Sequence, residues 1–129
     1  MESYPWIVLE RDNEILGYAY ASAFRTRQAY SWSVESTVYV KNGHHGQGHG
    51  KKLYLDLFRR LKEQGAANVI GGLTIPNPAS IALHESLGFK QVALLKNIGF
   101  KLGKWWDVGY WMLELQELSD PLPLRKPKL

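Results

Sequence analysis

The chain contains no cysteine. That removes disulfide frameworks, thiolate zinc sites and cysteine nucleophiles together, so any covalent or metal chemistry would have to use other groups. It also lacks any apolar run near the roughly 18 residues of a membrane-spanning helix. The start, MESYPWIVLERD, shows neither the basic opening nor the small-residue cleavage site of a secretory leader. A cytoplasmic location and no membrane partner are the expectations that follow. Repeats and low-complexity blocks are missing too. What is present is ordinary for a folded domain: 129 residues, 45% hydrophobic and 22% charged, enough for one core.

Acidic residues are the scarcer charge, 12 against 16 basic, leaving a net charge of +4. Such a balance suits nucleic acid, an anionic membrane or a polyanionic small molecule, and does not choose among them. Part of the excess lies in PLPLRKPKL, where Arg125, Lys126 and Lys128 stand among three prolines. We expect one domain over residues 1–117 and a basic, proline-rich, solvated tail over 118–129.

PWIVLE and EILGYAYASAF read as two strands, with Asp12 and Asn13 in a tight turn between them. After a break carrying Arg25, Arg27 and Tyr30, VESTVYV (34–40) is a third strand, with Glu35, Thr37 and Tyr39 on one face and Val34, Ser36, Val38 and Val40 on the other. Leu53, Leu57 and Leu61, with Tyr54 and Phe58 beside them, predict a helix from about Gly48 to Gln64 that stops at Gly65. NVIGGLTI is the next strand. NPASIALHESLG is a second helix, with Asn77 as N-cap, Pro78 at its first position and Gly88 past its end. Residues 90–98 and 105–115 alternate as two further strands joined through GFKLGKWW.

The loop KNGHHGQGHGKK asks for a chemical reading. His45 and His49 stand four apart, as two metal ligands on a helix would. Yet Gly46, Gly48 and Gly50 oppose helix there, and no carboxylate or thiol lies within six residues to complete a coordination sphere, so no metal is expected. Phosphate explains more. Glycines allow positive φ and bring main-chain N–H groups against an anion, the head of the following helix adds its positive dipole end, and Lys51 and Lys52 add charge. The Walker ending is absent. Nucleic acid ranks last, because the basic loop carries no interleaved aromatics for base stacking.

VESTVYVKNGHHGQGHGKKLYLDL resembles the acetyl-coenzyme A binding motif of the GNAT superfamily of N-acetyltransferases. That signature is arginine or glutamine, two residues, glycine, any residue, then glycine or alanine. Here the slots fall on His45, Gly48 and Gly50, so the leading residue departs. IPNPASIALHESLGF, the VE before the third strand, and GFKLGKWWDVGYW are similar to the phosphinothricin acetyltransferase branch, which acetylates small amines including amino-acid-like ones. The likeness runs from Trp6 to Leu115.

The resemblance implies an α/β (α+β) fold with a mixed, mostly antiparallel central sheet flanked by helices. It also implies acetyl-CoA as co-substrate, without metal, and a small-molecule amine as acceptor. The pantetheine arm would lie in a gap between Val38, Tyr39 and Val40 and the strand 69–75, with an N–H near Val38 meeting the carbonyl oxygen. The pyrophosphate would rest on His45, Gly46, Gln47, Gly48, His49, Gly50 and Lys51. Asn77 would hydrogen-bond the arm with Ser80 close by, and His84 would stand near the sulfur, protonating the leaving thiolate or holding a water.

Helical spacing independently puts Asn77, Ser80 and His84 on one stripe. The alternative, that Asn77 and Ser80 only cap the helix and His84 is a satisfied surface histidine, stays open at this point. An alkyl amine with a pKa near 10.4 is under about 1% neutral at pH 7, so a base is needed, and Glu35 is the candidate. Its alternative is an ion pair with Arg25 or Arg27. Those arginines, with Tyr30, form a candidate site for an acceptor carboxylate or phosphinate, or are simply exposed loop charges.

Without cysteine, direct transfer in a ternary complex is favoured over an acyl-enzyme. The family's first strand and following two helices have no counterpart, so the chain is expected to be an N-terminally truncated form. WIVLE would then be an apolar sheet edge, and a homodimer is expected to cover it. An inactive coenzyme A-binding relative is the alternative to an active enzyme.

Overall fold

The structure is a computed structural model and describes residues 4–25 and 27–126; Lys128 of the basic end lies outside the described residues. Its elements run β1 (Trp6–Arg11), β2 (Glu14–Ala23), a 3-10 turn at Gln28–Tyr30, β3 (Ser33–Val40), α1 (His49–Gln64), β4 (Asn68–Ile75), α2 (Pro78–Ser86), β5 (Lys90–Lys101) and β6 (Lys104–Glu114). The strands form one sheet in the order β1-β2-β3-β4-β6-β5. Only β3 and β4 are parallel; every other neighbouring pair is antiparallel. Among the described residues, no helix is long and apolar enough to cross a membrane.

Local chemistry accounts for the boundaries. Asp12 and Asn13 both take left-handed φ, 53° and 64°, the geometry that a two-residue hairpin turn between β1 and β2 demands. Gly48 and Gly65 cap α1 at its two ends in the same left-handed region, at φ 80° and 103°. Pro78 opens α2, where the missing N–H costs nothing, and the Asn77 side chain accepts from Ser80 N–H. The link between β5 and β6 is shorter than the sequence led us to expect. Leu102 (φ 52°) and Gly103 (φ 77°) turn the chain alone, so both strands run on through GFKLGKWW.

Leu53, Leu57 and Leu61 of α1, with Tyr54 and Phe58, pack on Ala19, Ala21, Val34, Val69, Leu73 and Trp111. Burying each leucine is worth about 1.5–3 kcal/mol. The small residues of β2 let the helix approach closely, while Tyr18 and Tyr20 point to the opposite face and stack there with Trp6 and Tyr39. The three tryptophans near the end divide. Trp111 is buried, with its indole N–H on Glu85, whereas Trp105 is exposed and the half-buried Trp106 donates to Lys101 O.

The tail is more tethered than its composition suggests. Up to residue 126 it is solvated, with Leu124 alone half-buried in 118–126, but it is not loose: it runs as a strap across the end of α1. Trp32 Nε1 donates to Leu122 O at 2.7 Å, Gln64 Nε2 donates to Arg125 O at 2.8 Å, and Arg125 N–H returns a bond to Gln64 O at 2.8 Å. Leu124 packs against the core. Pro121 and Pro123 hold fixed φ and offer no N–H, which suits an extended segment that bonds mainly through its carbonyls.

Candidate active site

The parallel pair β3/β4 is short. Ser33, Val34 and Glu35 face Asn68, Val69 and Ile70, and there the register ends. Beyond it β3 stays with β2 as far as Val40, and β4 stays with β6 as far as Ile75. The two halves of the sheet therefore part, leaving a V-shaped notch with Glu35 at its apex. Lys41 N–H donates to Leu16 O, which makes that opposed pair a hydrogen-bonded one. Antiparallel ladders alternate, so the main-chain groups of Ser36, Val38 and Val40 turn away from β2 and into the notch. Val38 lies about 10 Å up the strand from the apex.

The glycine loop closes the mouth. His45 Nε2 donates to Val40 O at 2.9 Å, so the ring that departs from the signature ties the loop to the end of β3. Gly46 and Gly48 have φ of 77° and 80°, and a β-carbon at either would meet nothing within 4 Å. Gly50 is different: a β-carbon there would stand 3.0 Å from Leu83, where α1 and α2 come together. His44 N–H is used by Lys41 O. Among the described residues, no internal acceptor meets the N–H groups of residues 45–51. Lys51 and Lys52 are exposed beside them. His49 is buried and held by Gln47 Oε1 at 2.9 Å; desolvation, then the charges of Arg11, His44 and Lys52, lower its pKa. Among the described residues, no group of three or more metal-ligating side chains forms.

Deeper in the notch is a cavity of about 120 Å³ lined by Glu35, Ser36, Thr37, Val38, Tyr54, Gly71, Gly72, Leu73, Ser80 and His84. Period two in β3 sends Glu35 and Ser36 to opposite faces. On the helix side, Tyr54 Oη lies 3.1 Å from Ser36 Oγ and 3.4 Å from His84 Nε2, and His84 Nδ1 lies 2.7 Å from Ser80 O. A carbonyl only accepts, so the imidazole proton sits on Nδ1 and Nε2 faces Tyr54 bare. Burial lowers the His84 pKa against the opposing Ser80 bond, and burial pushes the Tyr54 hydroxyl up to about 12. Burial thus favours the neutral form of both rings.

Glycine makes the room. A β-carbon at Gly71 would lie 2.9 Å from His84 Nε2, and one at Gly72 would lie 3.0 Å from the Tyr110 ring and 3.7 Å from Glu35 Oε2.

The structure brings Glu35, Val38, Ser80 and His84 to one cavity. His84 is not a surface histidine: it is 2% exposed, the buried residue of α2. Asn77 is exposed and its Oδ1 is occupied by the Ser80 cap. Among the described residues, no ion pair joins Glu35 to Arg25 or Arg27. Arg25, Arg27 and Tyr30, with Phe24, line a separate open depression of about 560 Å³. Asp107 accepts from Asn97 N–H and pairs with Lys96. Ser36, Tyr54, Gly71 and Gly72 were missed by sequence reasoning. Paired glycines inside a strand were the available signal, since such glycines often mark close approach.

These features match known proteins. The profile of the Acetyltransferase (GNAT) family covers residues 1–89. The chain is 40% identical over 124 residues to phosphinothricin N-acetyltransferase of Streptomyces viridochromogenes, covering 96% of this chain and 68% of that one. It is 34% identical to an L-amino acid N-acyltransferase of Escherichia coli, over 94% of this chain and 70% of the relative. A crystal structure of a GNAT superfamily phosphinothricin acetyltransferase from Sinorhizobium meliloti in complex with acetyl-CoA superposes with a TM-score of 0.88 at 39% identity, over 94% of this chain and 67% of that one. The chain belongs to the GNAT acetyltransferase family, on its phosphinothricin acetyltransferase-like side. It spans 57% to 68% of the lengths of the phosphinothricin N-acetyltransferases it matches.

Proposed function

We propose that this protein moves an acetyl group from acetyl-CoA to the primary amine of a small amino-acid-like or phosphinothricin-like molecule, directly within a ternary complex. The observation that carries this reading is the run of N–H groups at 45–51, without internal acceptors, at the head of α1 beside the notch mouth. Such a cradle fits a diphosphate: hydrogen bonds to a charged acceptor are worth about 1.5–3 kcal/mol each, and the helix dipole adds to them. Acetyl-CoA would supply an activated thioester carbonyl. Val38 N–H faces the notch and would hold that carbonyl oxygen as charge develops on it, a contact worth roughly 2.7–4 kcal/mol. Glu35, at the apex, takes a proton from the ammonium directly or through one water. Arg25 and Arg27, with Tyr30, would receive an acceptor carboxylate or phosphinate in bidentate fashion.

A thiol-release assay over a panel of small amines, run beside acetyl-CoA calorimetry, tests this. Release with amino-acid-like amines is expected; binding without release from any amine would make the protein a coenzyme A-binding module instead. We also propose that it acts in the cytoplasm as a homodimer, since β1 is an edge strand with Trp6 and Val8 more than half exposed. Light scattering over a concentration series that gives only monomer would refute the pairing.

A further inference from the structure

The segment between β2 and β3 carries Arg25, Arg27 and Tyr30, the proposed acceptor residues, yet little holds it to the rest of the fold. Tyr30 N–H donates to Arg27 O at 3.0 Å, Ser31 N–H donates to Gln28 O at 3.1 Å, and Ser31 Oγ donates to the same carbonyl at 2.7 Å. Arg25 lies over the Phe24 ring. Among the described residues of 24–31, these contacts all stay inside the segment. Arg25, Arg27 and Tyr30 are also exposed, so burial does not fix them. Guanidinium groups receive a carboxylate in two-point fashion only where their place is set beforehand.

Trp32 supplies the tie. Its carbonyl accepts from Ala67 N–H at 2.8 Å and Asn68 N–H at 3.1 Å, which anchors its main chain where β4 begins. Its indole reaches elsewhere, Nε1 donating to Leu122 O of the C-terminal strap at 2.7 Å. The strap is itself held on both flanks. Gln116 Nε2 donates to Ala66 O at 2.6 Å, Arg125 and Gln64 exchange two bonds of 2.8 Å, and Leu124 packs on the core. Two cavities, of about 340 and 430 Å³, separate the turn from the strap: Gln28, Ser31 and Pro123 line the first, Ala29 and Leu122 the second, and Trp32 lines both.

Resting on the acetyltransferase reading, we infer that Trp32 is a positioning residue for the acceptor: through its bond to the strap it sets where the 3-10 turn presents Arg27 and Tyr30. Glu35 is independent of that bond. Val34 and Glu35 are paired on both sides, with Ala23 and Ser22 of β2 and with Val69 and Ile70 of β4, so the proposed base keeps its place when the indole bond is lost. The glycine loop lies at the opposite end of β3, beyond Val40. Loss of the tie therefore weakens acceptor binding and spares both the chemical step and acetyl-CoA. A residue that only held the fold together would affect all three.

Trp32→Phe keeps an aromatic ring and deletes the N–H, and a chain ending at Asp120 deletes the strap. Hydrogen exchange followed by NMR should find the Trp32 indole N–H protected in wild type, relative to the exposed Trp105, and unprotected in the shortened chain. In Trp32→Phe the amide resonances of Arg27 and Tyr30 should shift while that of Glu35 stays. Steady-state kinetics of Trp32→Phe, with an L-amino acid that wild type acetylates, should show acceptor KM raised about tenfold, with kcat and acetyl-CoA KM within about twofold. An unprotected Trp32 indole in wild type, or Arg27 and Tyr30 amides indifferent to Trp32→Phe, overturns the inference whatever the activity. So does an unchanged acceptor KM, or a loss of kcat and acetyl-CoA affinity along with it, which marks a structural role alone. Inactive wild type with the indole protected and the amides shifted overturns the acetyltransferase reading and the acceptor role with it, while the tie between strap and turn stands.

Discussion

The mouth and the floor of the notch are built from different materials. At the mouth, residues 45–51 present main-chain N–H groups, and the side chains there mostly brace the loop, His45 against Val40 and His49 against Gln47. At the floor, Glu35, Ser36, Tyr54 and His84 present side-chain atoms to one cavity. The difference explains how a histidine can occupy a slot that the resemblance assigns to arginine or glutamine. A main-chain cradle depends on backbone conformation, so it tolerates side-chain change and is vulnerable at its glycines. A side-chain floor behaves the other way round.

The sharpest break of that contrast is at the floor. Glu35→Gln keeps the shape of the side chain but removes the proposed base, so kcat should fall by about 10²- to 10⁴-fold while acetyl-CoA affinity, which we propose is set at the mouth, should be unchanged. Stopped assays with parallel calorimetry separate the two parameters. A smaller effect is expected at Gly71. An alanine there would press a β-carbon within 2.9 Å of His84 Nε2, an overpacking that typically costs about 1–3 kcal/mol. Chemical denaturation should reveal the loss, and the Gly46→Ala variant would separate the two kinds of glycine, since strain there comes from φ 77° with nothing in the way.

Subtler still is the pH dependence of stability. His84 has its pKa lowered on folding, so between the unfolded value of about 6.5 and the lower folded one the unfolded chain binds more protons. Above about 6.5 both states are neutral at this site and nothing is gained. As pH falls below it, the fold loses stability, and His49 adds in the same direction. Urea melts between pH 7.5 and 5 should show that decline, and a His84→Gln variant should show a flatter one.

Much of the scaffold was legible because its signals are local. Leu53, Leu57 and Leu61 recur at helical spacing, Asn77 and Pro78 mark a helix start, and Asp12 and Asn13 can take the left-handed φ of a hairpin turn. Glu35 and His84 were readable as candidates for similar reasons. The polar role of Tyr54 was not, because it sits in a helix stripe with leucines and has the signature of a core aromatic; its hydroxyl finds its partners in Ser36 of β3 and in His84, from a helix 30 residues away. The strap was hidden too. Proline and lysine composition speaks for solvation, whereas the tail is held by Trp32 and Gln64, whose distance from it in sequence gives no local hint.

Calorimetry of acetyl-CoA with wild type, His45→Ala and Gly48→Glu tests the main-chain cradle most directly. Wild type should bind, His45→Ala should lose no more than a few-fold, and Gly48→Glu, which forces a β-carbon onto φ 80° and sets a carboxylate beside the diphosphate, should lose on the order of 100-fold or more. Equal affinity of Gly48→Glu and wild type, or no binding by wild type, would contradict it.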